Sequence, residues 1–537
     1  MPEYILGSRP EFVFPYGSDS AERRVCMANG FFRERRHYQL HEIANELQVT
    51  IEEAKRLTGT LKKYGIVKAV RASDAQSGEF TDQDAVLADV SEDYNGIDYI
   101  FDFVGVVLAG ENLFQCYPKY IRSETKPFSQ LKQVLQVIKK YNEKAQMFYL
   151  SGGDGEDKIF NSLAAALYLM EDYFQYGLYT NQHEMIETNG SGGILWDKTI
   201  HETFALIKNG QPFYMQLQTR NTADNEMDYF TRLHACVLSM CTEKLKDAGI
   251  LDLFDLAQAD LSSQTLDDFG DTDFIRYRLE SEMRTQFVTR KQILLKTMDA
   301  YIANEKAGRQ HSSFSFYGTN SFHVIWEKVC AHNFGNMLDH RLTDLPLGVP
   351  DAFASRKNSR LKEIIERPVW HKKNPRLSDG TADTLKPDLI RIYPFGGNGE
   401  YCFGIYDAKY YCIDFKIKED GCRVTGQPGI ADITKQYLYQ LAYEEFITAQ
   451  GYDYVQNMFL CPKEDAARSS REIPETEYGY AEMGMMRQFC AQALEHITVV
   501  KLSAPEMFEL YLADKKIENL QDYIPAPGRK RTAYYRE

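Results

Sequence analysis

The sequence predicts a multidomain α/β protein. It has an N-terminal helix-turn-helix unit with a β wing, a small β-rich segment, a helical middle region and a C-terminal α/β core. Three observations carry this reading. At 537 residues the chain exceeds what one hydrophobic core accommodates. The apolar residues recur with helical spacing near 40–66 and with strand-like spacing near 99–121. From about residue 311 onward, helix, strand, strand, helix and strand patterns follow one another, the order of a small α/β core. The expected segments are 1–90, 91–145, 146–310 and 311–537.

In the first segment, "LHEIANELQVTIEEAKRLTGTLKKYGIV" holds two amphipathic stretches split at "QVT", where Thr50 caps the second helix and Glu53 stands three residues on. Leu40, Ile43, Ala44, Leu47, Val49, Ala54, Leu57, Leu61 and Ile66 form the apolar face, and "GIVKAV" begins the wing. Arg33, Arg35, Arg36, Lys55, Lys62 and Lys63 lean toward DNA, although the acids among them equally suit a solvated face and such units serve protein contacts as readily. Residues 71–90 read as a polar, acidic linker. "YIFDFVGVVLAGENLFQCYPKYI" then reads as strand, turn, strand, followed by the amphipathic helix "FSQLKQVLQVIKKY". Residues 146–310 read as mostly helical around the loop "ETNGSGGILWDKT". No Gly-Lys dipeptide exists, so the chain has no P-loop and any nucleotide hydrolysis must come from a partner.

Composition narrows the setting. The net charge of -15 excludes a broadly basic surface but leaves room for a local basic groove. Ten scattered cysteines without a Cys-x-x-Cys pair imply free thiols of a reducing compartment. The start lacks a signal peptide, and the apolar runs fall short of the ~18 residues that a membrane helix requires. The expectation is a cytoplasmic protein that does not engage a membrane.

Chemistry concentrates in the last segment. "SFHVIWEKVCAHNF" is helical, with Phe322, Ile325, Val329 and Phe334 buried and Glu327 among them. "DLIRIYPF" and "EYCFGIYDAKYYCIDF" read as two strands joined by the turn "GGNG". Asp407 and Lys409, two apart on a strand, share a face, and the hairpin brings Asp388 beside them. Asp388, Asp407, Glu327 and the Ala408 carbonyl are hard oxygen ligands suited to magnesium, with manganese as a substitute. Lys409 then steadies a water or the growing phosphate charge. On the following helix, Asp432, Gln436, Tyr439 and Tyr443 form one stripe. Gln436 is expected to orient a phosphate or Lys409, although the tyrosines equally suit a core. Upstream, Arg356, Lys357, Arg360, Lys362, Arg367, Lys372, Lys373 and Arg376 surround Trp370. This basic patch suits a DNA backbone, or a solvated loop.

Pro387-Asp388, a hairpin and Asp407-Ala408-Lys409 resemble the layout of the PD-(D/E)xK nuclease superfamily. The phrases "YIFDFVGVVLAGENLFQCYPKYI", "FHVIWEKVC", "KPDLI", "IYDAKYY" and "PGIADITKQYLYQLAY" further resemble the LlaJI-type restriction endonuclease family, which is similar to McrC. That resemblance implies a magnesium-dependent endonuclease subunit for double-stranded DNA, working with a McrB-like AAA+ GTPase motor. It implies that 91–145 docks on the motor; apolar residues of that strand pair such as Leu113, Phe114 and Tyr117 suit entry into its ring, and equally suit a core. A cognate DNA methyltransferase in the same system is a further expected partner. The reading from another class is a non-catalytic DNA-binding regulator or adaptor that activates an AAA+ partner.

Overall fold

The computed structural model describes residues 28–71, 97–142, 149–151, 158–224, 228–307, 314–373, 377–380, 384–397, 399–418, 421–465, 478–486, 496–528 and 530–531. It is a mixed α/β protein with several sheets.

Helices Leu40–Leu47 and Ile51–Lys63 form as the pattern requires. Thr50 accepts the Glu53 backbone N–H at 3.2 Å, and Gln48 takes a left-handed conformation (φ 55°) in the tight turn between them. Ile43, Ala44, Leu47, Ala54, Leu57, Leu61 and Ile66 are buried, while Leu40 and Val49 are partly so. Strands His37–Tyr38, Ile97–Phe101 and Val67–Arg71 make the accompanying three-stranded sheet.

A second sheet joins parts of the chain that the sequence keeps apart. Its order is Ala28–Arg33, Asn112–Tyr117, Val104–Ala109 and Phe314–Thr319, with the first pair parallel and the others antiparallel. It therefore takes strands from three of the four expected segments. Both faces are covered. Val104, Val106 and Leu108 pack toward the large helical core, whereas Val107, Ala109 and Phe114 pack toward the helix-turn-helix unit. That is why "FVGVVLA" is an unbroken apolar run. Gly105 and Gly318 face each other across one ladder, where a Cβ on either would meet the opposite backbone within 2.3 Å.

Helices Ser162–Tyr176, Tyr229–Asp247, Thr272–Thr285 and Thr289–Ala307 bear out the helical reading of the middle in part. Between them, Gln182–Asp224 departs from it. This arm contains a three-stranded sheet of Gln182–Thr188, Gly193–Ile194 and Gln218–Asp224, the helix Trp196–Glu202, and the hairpin Ala205–Lys208/Gln211–Tyr214. Asn209 and Gly210, both at positive φ (55° and 77°), make the two-residue turn of that hairpin.

The C-terminal core is a five-stranded sheet ordered Leu389–Pro394, Tyr401–Ala408, Tyr454–Lys463, Ile497–Ser503 and Gly479–Ala481. The inner three strands run parallel and the outer pairings are antiparallel. Tyr406, Met458, Leu460 and Val500 share a core with Trp326 and Phe508, of helices Phe322–Asn333 and Ala504–Leu512. On the opposite face Ile390, Phe403 and Ile405 pack with Tyr443 and Phe446 of helix Ile430–Gln450. Trp326 is fully buried and its indole N–H donates to the Leu460 carbonyl at 3.0 Å, fixing helix to sheet. Among the described residues, no helix is long and apolar enough to cross a membrane, and the described cysteines are free thiols.

Candidate active site

The strand Tyr401–Ala408 is apolar because it is central, and its last residues bring carboxylate chemistry to the sheet's end. Asp407 is 3% exposed. The strand stops at Ala408, so the long strand expected through Phe415 is broken, and Lys409 lies just beyond its end. The Lys409 backbone N–H still donates to Leu460 at 3.0 Å, continuing the ladder by one bond. Its ammonium returns to the Asp407 carboxylate at 3.0 Å and reaches Asp432 Oδ1 at 3.2 Å.

Asp388 immediately precedes the neighbouring strand, and its Oδ2 accepts the Ala408 N–H at 2.8 Å. Its carboxyl is also in hydrogen-bond contact with that of Asp407. Burial, then this contact and the charge on Asp407 and Glu327, push the Asp388 pKa well above the usual carboxylate range. Burial likewise raises Glu327, with Lys409 opposing. For Lys409 burial pulls downward, but Asp407, Asp432 and Asp388 carry its pKa above the ordinary value. The hairpin and helix therefore bring Asp388, Asp407, Lys409 and Glu327 into one electrostatic cluster.

Two adjacent buried carboxylates, one forced toward its protonated form, are what a divalent cation relieves. Among the described residues no three Asp, Glu, His or Cys groups stand as a ready cage. Asp388 and Asp407 bring two hard carboxylate donors side by side, the ligand type that magnesium takes.

Gln436 is placed differently from the expectation. It is fully buried, and its amide nitrogen donates to the carbonyls of Ile405 at 3.1 Å and Met458 at 3.4 Å. Its amide thus joins two strands, while Asp432, one turn earlier on the same helix, takes Lys409. Tyr411 donates to Asp432 Oδ2 at 3.1 Å and fixes that carboxylate. Burial raises the Tyr439 hydroxyl, and the charges of Asp407 and Asp388 add to it, placing Tyr439 beside the cluster. The stripe is therefore part site and part core.

The sequence profile of the LlaJI restriction endonuclease family matches residues 103–345 and 351–504. The chain belongs to the LlaJI restriction endonuclease family. The "Type II restriction enzyme BsuMI component YdjA" of Bacillus subtilis (strain 168) is 27% identical over 431 residues, 79% of this chain and 83% of that protein. Among solved structures, a half-complex from a tetradecameric assembly of Thermococcus gammatolerans McrB AAA+ hexamers with bound McrC is similar at a TM-score of 0.34. It shows 12% identity and covers 90% of this chain and 99% of that one. The McrBC complex of the same organism gives a TM-score of 0.19 and 13% identity, covering 51% and 79%.

The remaining residues singled out in this LlaJI-family chain divide between internal pairing and the surface. Arg356 contacts the Glu363 carbonyl and lies 3.8 Å from Glu366, and Arg360 pairs with Asp339 at 3.3 Å. Lys357 and Lys373 are exposed, as is Trp370 at 72%. Lys372 pairs through its backbone with Leu377, and Arg376 lies outside the described residues. In the N-terminal unit, Arg35 pairs with Asp102 at 2.7 Å, Arg36 with Glu42 at 3.5 Å, and Lys62 is partly buried near the end of its helix. Leu113, Phe114 and Tyr117 are 1, 0 and 4% exposed. They are core rather than the exposed contacts expected of a docking strand, because the sheet carrying them is covered on both faces.

Proposed function

We propose that this chain is the DNA-cleaving subunit of a restriction system, with a PD-(D/E)xK-type centre made by Asp388, Asp407 and Lys409 and assisted by Glu327 and Asp432. The observation that carries this reading is the convergence of two buried carboxylates and a lysine at one end of a covered sheet. A fold gains nothing from such a cluster, since buried like charges destabilise it. Asp388, Asp407, Glu327 and the Ala408 carbonyl would hold magnesium or manganese. When bound, the metal supplies a Lewis acid for the phosphoryl oxygen and an acidified water. Lys409, clamped between Asp407 and Asp432, holds its positive charge where the phosphate develops negative charge. The N-terminal unit we read as winged-helix-like, and with the exposed Lys357, Lys373 and Trp370 it would contact double-stranded DNA.

Coupling to a McrB-like AAA+ GTPase belongs to the same reading, supported by the family resemblance and by the absence of a P-loop in this chain. The arm 182–224 suits docking better than the buried strands at 97–117. Phe204 is 97% exposed and Met215 71%, with Leu206, Ile207 and Phe213 also exposed around the Asn209-Gly210 turn. An apolar cluster of that kind marks an interaction surface.

The test combines purified chain, AAA+ partner, GTP, magnesium and plasmid DNA. Wild type with the partner should cut, and Asp407→Ala and Lys409→Ala should lose ~10²-fold or more in rate while still binding DNA. Cleavage undiminished in both variants would leave the chain as an adaptor or regulator.

A further inference from the structure

One tight turn carries the chain from the cross-chain sheet into the N-terminal unit. Residues 34–36 separate strand Ala28–Arg33 from strand His37–Tyr38, and Arg35 within them takes a left-handed conformation at φ 60°. Glu34, the first residue of the turn, is 7% exposed. Its backbone N–H donates to the Tyr117 carbonyl at 2.9 Å, and its Oε2 accepts the Lys119 backbone N–H at 3.2 Å. The same oxygen accepts the Tyr410 hydroxyl at 2.6 Å, across 376 positions of sequence.

A buried carboxylate needs donors. The donor from Tyr410 matters further, because Tyr410 stands at the centre of the turn that Lys409 begins. The Tyr411 backbone N–H donates to the Lys409 carbonyl at 2.8 Å, a three-residue turn with Tyr410 in the middle. Tyr411 then gives its hydroxyl to Asp432 Oδ2 at 3.1 Å, and Asp432 Oδ1 lies 3.2 Å from the Lys409 ammonium. The backbone and the ammonium of Lys409 are thus joined through one small ring of contacts, and Tyr410 ties that ring to the N-terminal part of the chain. The Tyr410 side chain is 6% exposed and lies edge-on to Phe322 at 5.3 Å and to Tyr120 at 6.3 Å. Packing and the Glu34 bond together select its rotamer.

We propose that Glu34 is a positioning residue for Lys409, acting through the Tyr410 hydroxyl, so that phosphodiester cleavage depends on how the N-terminal unit is seated. The bond to Glu34 holds the Tyr410 rotamer, the rotamer sets the path of the turn, and the turn aims the ammonium between Asp407 and Asp432. The proposal rests on the nuclease reading of Lys409 and adds to it a residue from outside segment 311–537.

The experiment is single-turnover plasmid cleavage by the full chain with its AAA+ partner, GTP and magnesium, beside binding of a short fluorescent duplex in EDTA. Tyr410→Phe removes one oxygen and should slow cleavage by about 10-fold with duplex affinity unchanged, the low end for groups that orient a site. Glu34→Gln keeps an acceptor oxygen for both donors and should cut at the wild-type rate, whereas Glu34→Ala should lose as much as Tyr410→Phe. The double variant of Glu34→Ala with Tyr410→Phe should lose no more than either alone, because the two act as one unit. If Glu34→Ala fails to fold by thermal melting, Tyr410→Phe against Glu34→Gln decides. Wild-type cleavage by Tyr410→Phe overturns the proposal while the nuclease reading stands. Losses that multiply in the double variant, or a Glu34→Gln loss equal to that of Tyr410→Phe, overturn it as well. Wild-type protein that does not cut overturns both readings together.

Discussion

His234 makes acid sensitivity at the root of the arm measurable. It is fully buried on helix Tyr229–Asp247, where its Nδ1 accepts the Tyr179 backbone N–H at 2.9 Å and its Nε2 has no hydrogen-bond partner among the described residues. The ring is therefore neutral, and burial together with the Arg290 charge holds its pKa down to about 3. A depressed histidine contributes stability above its unfolded pKa and loses it as pH falls, because the opened state takes up the proton first. The window runs from about 6.5 down toward 3. At pH 5, roughly 1.5 units into it, the loss is about 2 kcal/mol, or roughly thirty-fold in the opening equilibrium. Hydrogen exchange of peptides spanning 178–186 and 229–240 should show that loss between pH 7.5 and 5, after correction for intrinsic exchange. His234→Gln keeps an acceptor for Tyr179 without a titrating ring, so its protection should stay nearly level. A decline in the variant as steep as in wild type would refute the reasoning.

Four further outcomes are expected. Asp388, with its pKa raised by burial and by Asp407, favours folding at low pH and loses that contribution as pH rises through its folded value. Metal-free Asp388→Asn should thus melt above wild type at pH 8 and match it near pH 4, with magnesium narrowing the gap in scanning fluorimetry. Asp432→Asn should slow single-turnover cleavage by about 10- to 100-fold with duplex affinity kept, as for other groups that orient a site, and Asp432→Glu should recover part of it. Gln436→Ala removes a buried donor from two strand carbonyls, costing about 1–3 kcal/mol in thermal stability, while the folded fraction should still cut. Phe204→Asp combined with Ile207→Asp should leave duplex binding intact and abolish association with the AAA+ partner by size-exclusion chromatography.

The end of the sheet that gathers Asp388, Asp407 and Lys409 was legible because local pattern and chemistry agree there. The apolar strand before Asp407, the hairpin that returns Asp388, and the buried stripe of Phe322, Ile325 and Val329 around Glu327 all follow from periodicity. The helix after the hairpin was harder. Helix Ile430–Gln450 is covered along most of its length, so spacing alone does not tell the polar residue facing Lys409 from the one serving the sheet. For that reason the sequence put Gln436 against Lys409, where the structure puts Asp432. Leu113, Phe114 and Tyr117 looked available because a strand's sequence does not reveal how many layers cover its sheet. The arm was hidden by polar strands such as "QTRNTAD", whose alternation lacks an apolar face. Its local signal was Asn209-Gly210 between apolar pairs. The contact of Glu34 with the Lys119 backbone left no sequence trace, since the parallel pairing of Ala28–Arg33 with Asn112–Tyr117 brings the two together.

That cross-chain sheet also sets a timetable for biosynthesis. The strand Val104–Ala109 waits for its partner Phe314–Thr319, and the paired residues Ala109 and Phe314 are 314 − 109 = 205 positions apart. At about 5–20 residues per second, an apolar strand edge emerges roughly 10 to 40 seconds before the ribosome delivers the segment that seals it. The glycine pair at Gly105 and Gly318 permits only a close-fitting occupant, which disfavours a chance strand from another nascent chain. Synonymous changes that slow translation between codons 110 and 313 should therefore lower soluble yield without altering the finished protein, and raised chaperone levels should restore it.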